Sequence, residues 1–257
     1  MKPTQVLVVA AAFVALVMTG QPVQPSEMDS QIERTARNLY VFKTYLKGDD
    51  ITIRSKDGVV FLTGTVSEET RGLLAQETVA SLSGVRSVDN RLEVKGDRPA
   101  ENSDGWIGAR VKTVLFFHRG TGGIDVEVSV SNGVVTLRGV ALNHAQRQLT
   151  AEYAKDVEGV KDVKNEMTVA STPKTEKATV GERIDDASIT SQVKISLLFH
   201  SSTRVLKTQV DTDKGVVTLS GMARSAAEKD LVTKLVTDIN GVTMVNNRMT
   251  IEASKAR

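Results

Sequence analysis

Cysteine is absent from the 257-residue chain, which removes thiol nucleophiles, disulfides, iron–sulfur clusters and cysteine-based zinc sites together. Aromatic residues are scarce at 4%, so the core must be filled by Val, Leu, Ile and Met, and the single tryptophan, Trp106, stands out as a contact residue. Neither sign of charge dominates. Thirty-three Lys and Arg against 31 Asp and Glu leave +2, too little to draw the whole molecule onto nucleic acid. No apolar run reaches the ~20 residues of a bilayer-spanning helix. What is present is an ordinary globular balance, 40% hydrophobic and 25% charged, which excludes wholesale disorder, collagen-like repetition and a polytopic membrane protein.

The longest apolar run has 13 residues, Val6 to Met18, after Lys2 and before Thr19, Gly20, Gln21 and Pro22. That is the length and layout of a secretory leader. Residues 1–25 therefore read as a signal peptide or, since no clean Ala-x-Ala follows the run, as an N-terminal anchor. Export to the periplasm is the expectation. At ~150 residues per domain the length suggests two domains, or three if they are small.

Internal periodicity decides for three. The segments beginning DGVVFLTG at Asp57, NGVVTLRG at Asn132 and KGVVTLSG at Lys214 align without a gap at offsets of 75 and 82 residues. The same offsets bring Ile32, Ile107 and Ile189 together, and Phe42, Phe117 and Phe199. The repeat is a domain, at 29–96, 104–170 and 185–252, joined by polar linkers over 97–103 and 171–184 that each hold a proline.

Each copy reads as α-β-β-α-β. Apolar residues at spacings of three and four, such as Ile107, Val111, Val114 and Leu115, predict a first helix with Asp104 as its N-cap. An alternating run, Val126, Val128 and Val130 in copy two, predicts a strand. Asp57-Gly58, Asn132-Gly133 and Lys214-Gly215 predict tight hairpin turns. The returning strand is expected to stop at Gly64, Gly139 and Gly221. Asn143 with Gln146, and Ser225 with Glu228, form capping-box pairs for a second helix. Gly84, Gly159 and Gly241, each followed by Val, read as its left-handed stop. A last strand carries Leu92 and Val94, Met167 and Val169, or Met249 and Ile251. The fold class is α+β: three tandem two-layer sandwiches, each a three-stranded mixed sheet under two helices. Cores this small should lean on one another.

The Gly-Val-Val-x-Leu-x-Gly strand, the Gly-Val helix stop and the Val-x-Asn before the last strand resemble the BON (bacterial OsmY and nodulation) domain. Here they are Gly58 to Gly64 with Gly84, Val85, Val88 and Asn90, then Gly133 to Gly139 with Gly159, Val160, Val163 and Asn165, and Gly215 to Gly221 with Gly241, Val242, Val245 and Asn247. A leader followed by tandem copies is similar to the osmotically inducible periplasmic members of that family. The resemblance implies a non-enzymatic envelope protein associated with osmotic shock and outer-membrane integrity, with phospholipid or envelope proteins as partners. It implies no cofactor and no metal.

Residues outside the repeat's structural logic are few. His118 and His200 stand at the end of the first helix, where a basic group complements exposed carbonyls and where copy one has Lys43. His144 is alone and reads as solvated. Acidic and basic groups balance at ten and ten, eight and eight, and eight and eight across the copies. The first helix of copy two is the more basic, with Arg110, Lys112 and Arg119 against Asp104, and Trp106 replaces the polar Gln31 and Ser188 of the other copies. Trp106, Arg110, Lys112 and Phe117 are therefore the candidate site for anionic phospholipid, matching the first helix to which lipid contact is attributed in the family. Packing of Trp106 against a neighbouring copy or linker 97–103 is the alternative, as is a chaperone-like role in which the chain contacts only proteins. Oligomeric state is left open.

Overall fold

The computed structural model describes residues 26–96, 99–121, 125–170, 184–203 and 206–252. Residues 1–25, expected to be a leader or anchor, residues 97–98 of the first linker and 171–183 of the second lie outside these residues. Copy one comprises α1 (Glu27–Asn38), α2 (Tyr40–Thr44), β1 (Asp50–Lys56), β2 (Val59–Val66), α3 (Glu69–Ala80) and β3 (Ser87–Val94). Copy two comprises α4 (Asp104–Phe117), β4 (Val126–Ser131), β5 (Val134–Ala141), α5 (His144–Lys155), β6 (Asp162–Asn165) and β7 (Thr168–Val169). Copy three comprises α6 (Asp186–Phe199), β8 (Thr208–Asp213), β9 (Val216–Ala223), α7 (Ala226–Thr237), β10 (Met244–Asn247) and β11 (Thr250–Ile251). In every copy the first two strands form an antiparallel hairpin and the last pairs parallel to the hairpin's second strand. This is the expected α+β order.

The alternation along each central strand turns one side chain in two toward the helices. Val60 and Leu62, Val135 and Leu137, Val217 and Leu219 are fully buried, each worth about 1.5–3 kcal/mol on leaving water. Ile32, Ile107 and Ile189 meet them from the first helix. The buried residues of all three copies join into one contiguous apolar cluster, so the small cores do lean on one another.

Three local expectations are corrected. Asp104 is not the N-cap: Ser103 is, accepting from Trp106 N. Asp104 instead reaches the hairpin 28 residues on, its carboxylate accepting from Asn132 N and Gly133 N, both at 2.8 Å. Asp186 does the same for Lys214 N and Gly215 N, and Asp29 for Asp57 N and Gly58 N. A carboxylate holding two otherwise orphaned turn donors fixes the angle between first helix and hairpin in each copy.

The returning strands do not stop at Gly64, Gly139 and Gly221 but run two residues further. At Gly139 and Gly221 the backbone takes φ of 138° and 129°, and a Cβ there would collide with the carbonyl oxygen of Asp125 or Lys207, the residue just before the paired strand. Glycine permits this close approach; the antiparallel ladder ends there, and the strand runs on by pairing with β7 or β11. The last strand of copies two and three is split in two, because Asn165 and Asn247 accept from Met167 N and Met249 N and turn those methionines into the core. The same asparagines donate through Nδ2 to Arg147 O and Lys229 O of the second helix.

The capping pairs form with a shift. Asn143 and Ser225 accept from Gln146 N and Glu228 N, and the returning side chains accept from Leu142 N and Arg224 N, one residue before the cap.

Candidate functional site

The first helices assemble the junction. α6 lies at the centre, packed on α3 of copy one and α4 of copy two. Its polar side chains Ser188, Ser191, Gln192 and Ser196 are buried, and each meets a partner from another copy. Ser191 Oγ accepts from Thr78 Oγ1 at 2.9 Å, and Gln192 Oε1 accepts from the Tyr45 hydroxyl at 3.2 Å. Copy one's first helix breaks at Leu39, whose ψ of 147° is extended. The break releases the N–H groups of Tyr40 and Val41, which donate to Asp185 Oδ2 at 2.7 Å and Ser188 Oγ at 3.1 Å.

Copies two and three meet reciprocally. His118 bridges to Ile239, and His200 to Val157, its equivalent in the other direction. Asn240 N donates to Phe117 O at 2.9 Å, and Glu158 N donates to Phe199 O at 3.0 Å. Arg119 N donates to Asp238 O and Ser201 N to Asp156 O, both at 2.7 Å. On the local axis the two buried imidazoles approach to 3.5 Å between Nε2 atoms. His200 Nδ1 lies 3.0 Å from Asp156 Oδ2. His118 Nδ1 lies 3.4 Å from Asp238 Oδ2 and forms no hydrogen bond there. Tyr153 stacks on the His118 ring at 3.9 Å and donates to Asp238 at 2.7 Å. Burial lowers the His118 pKa, against the pull of Asp238. Burial also raises the pKa values of Asp156 and Asp238, but their polar neighbours, first the imidazoles of His200 and His118 and then the hydroxyls of Ser202 and Tyr153, outweigh it and leave both below the ordinary range. The histidines are thus joints between copies rather than lone helix-end cations.

The residues singled out for lipid fall in this junction. Trp106 is only 7% exposed and Phe117 1%. The Arg110 guanidinium lies 3.6 Å over the Trp106 ring and 4.4 Å from that of Phe199 in copy three, a cation between two aromatic faces. It also pairs with Glu158 at 3.1 Å, both side chains under a fifth exposed. Lys112 is exposed. Trp106 therefore does not occupy a face left to water; the equivalent Ser188 is buried too, because this side of the first helix is where copies dock. Trp106 and Arg110, with Leu73, Val94, Pro99 and Phe199, line a cleft of about 140 Å³ between the copies and the end of the first linker. What α4 shows to solvent is Lys112 and, one turn on, Phe116, 47% exposed.

Among the described residues no group of three or more His, Asp or Glu is placed to hold a metal ion, and no helix is long and apolar enough to cross a membrane. The residues missed from sequence are Asp29, Asp104 and Asp186, and the Asp156 and Asp238 partners of the histidines. The first set had a signal: an Asp recurs three residues before the shared Ile in every copy.

A sequence model described as BON domain matches residues 28–96, 103–171 and 185–253. The osmotically-inducible protein Y of Escherichia coli K12 is 32% identical over 144 residues, 56% of this chain and 70% of that protein. A 21 kDa hemolysin of Actinobacillus pleuropneumoniae is 30% identical over 152 residues, 56% of this chain and 77% of that protein. Among solved structures, the C-terminal domain of CdsD, a structural protein of the type III secretion system of Chlamydia trachomatis, is 17% identical and covers 90% of this chain and 100% of its own, with a TM-score of 0.23.

Proposed function

The chain belongs to the BON-domain family, and on that premise we propose that it is a non-enzymatic binding and scaffolding protein of the cell envelope, serving under osmotic or envelope stress. The observation that carries this reading is how the recurring polar residues are employed. Asp29, Asp104 and Asp186 hold hairpin turns, Asn90, Asn165 and Asn247 bind the second helices, and His118 and His200 join copies two and three. Residues so committed build shape and leave recognition to the outer surfaces. The similarity to an osmotically-inducible protein supports the stress context. The apolar run Val6 to Met18 supports export to the periplasm.

Envelope proteins are the partners this geometry favours. A tryptophan buried between copies cannot seat itself at headgroup depth, which narrows any phospholipid contact by α4 to Lys112 and Phe116. Two measurements test the proposal. Cells lacking the gene should grow more slowly after hyperosmotic shock and recover when the exported chain is restored; equal growth overturns the stress role. The full chain should stay in the supernatant when sedimented with phosphatidylglycerol-containing vesicles. Sedimentation that Lys112→Glu with Phe116→Ala abolishes would replace protein partners with lipid.

A further inference from the structure

The pair of buried histidines is more than the fold requires. Copy one has Lys43 and Ser81 where copies two and three have a histidine and its aspartate, and it docks without them. Between copies two and three, four titratable side chains, His118, His200, Asp156 and Asp238, meet on the local axis with both rings inaccessible to water. Every packed element contributes. α4 and α6 end in the rings themselves, with Ser196 Oγ of α6 3.2 Å from His118 Nε2. α5 brings Tyr153 and, at its end, Asp156; α7 ends at Asp238. Arg119, next to His118, hydrogen-bonds to Val242 O at 2.6 Å.

We propose that this contact is an acid-sensitive latch that holds copies two and three together when it carries at most one added proton and lets them part when both rings are protonated. With His200 Nδ1–H directed to Asp156, its Nε2 is an acceptor, and one further proton on His118 Nε2 points at it across 3.5 Å. A second proton sets two N–H groups and two positive charges head to head in a dry site. Like charges that close cannot both ionise without moving apart. The direction of the His118 shift agrees: its folded pKa is lowered, so the docked form binds fewer protons than the open one, and docking weakens as pH falls through and below the ordinary histidine range. Opening takes Phe199 away from Arg110 and so uncovers Trp106.

The test uses the full chain and its only tryptophan. Between pH about 7.5 and about 5, Trp106 emission should shift to the red and the radius of gyration should rise, with far-UV circular dichroism unchanged. His118→Gln with His200→Gln should remove that pH dependence. A flat wild-type profile, or the same transition in a folded double variant, overturns the latch. If the double variant does not fold, proton NMR of the wild type decides. The chain has three histidines, and exposed His144 serves as the reference. Titration of the His118 and His200 ring protons in two separated steps, the second below that of His144 and coincident with the Trp106 shift, supports the proposal. Two independent single steps matching His144 refute it.

Discussion

Replacing Asp104 by alanine isolates the contact that ties the first helix to the hairpin. The side chain makes two charge-assisted bonds, both at 2.8 Å, to the turn donors Asn132 N and Gly133 N. Hydrogen bonds to a charged group contribute about 1.5–3 kcal/mol each when their partners are cut off from water. The bond to Asn132 is exposed and the bond to Gly133 only partly buried, so water takes up some of the loss and the lower end applies. The pair should cost about 3 kcal/mol. Asp186 has the same two bonds at the same lengths and should cost the same, whereas exposed Asp230 on α7 should stay within about 0.5 kcal/mol. Asp104→Asn keeps one acceptor and should fall between. Urea titrations followed by circular dichroism read these as shifts of the midpoint at constant slope. If Asp104→Ala and Asp186→Ala behave like Asp230→Ala, the carboxylates are not what fixes the turns.

Two further outcomes follow from the same geometry. Arg110→Ala removes the contact with Glu158 and strips the lid from Trp106, so it should destabilise the chain by about 2 kcal/mol and raise acrylamide quenching of Trp106; unchanged quenching would mean that the ring is shielded by something else. Asp29 is held well below the usual carboxylate range, first by the Ser26 and Ser55 hydroxyls and then by the Gly58 and Asp57 N–H groups. A depressed carboxyl stabilises the fold at all pH values above the unfolded value of 3.8 and loses that contribution as pH falls further. Asp29→Asn should therefore flatten the acid limb of the stability curve, measured by thermal melts below pH 3.8, and an unaltered limb would contradict the assignment.

The architecture was legible in the sequence because its determinants are local and occur three times. Asn132-Gly133 specifies a hairpin, Asn143 with Gln146 a helix start, and Gly159-Val160 a helix stop, each within a few residues. Asp104 was misread because Ser103 beside it is an equally good cap; only the distance of 28 residues to the turn, closed by the fold, distinguishes them. Trp106 was read against its counterparts Gln31 and Ser188 on the assumption that polar means wet. In α6 the polar residues are dry, because another copy supplies their partners. A repeat seen one unit at a time shows which positions face its own core but not which face the neighbouring units cover. The histidine contact was illegible for that reason: each ring's carboxylate lies in another copy.

The interrupted helix of copy one sets an order of events in biosynthesis. Tyr40 and Val41 emerge from the ribosome early, yet the side chains that accept their amide protons, Asp185 and Ser188, are made more than a hundred residues later. The N-terminal third cannot reach its finished form while the chain is still growing. Truncation before residue 185 should leave a product that proteases cut first around Leu39, and maturation becomes a closing of the last segment onto the first.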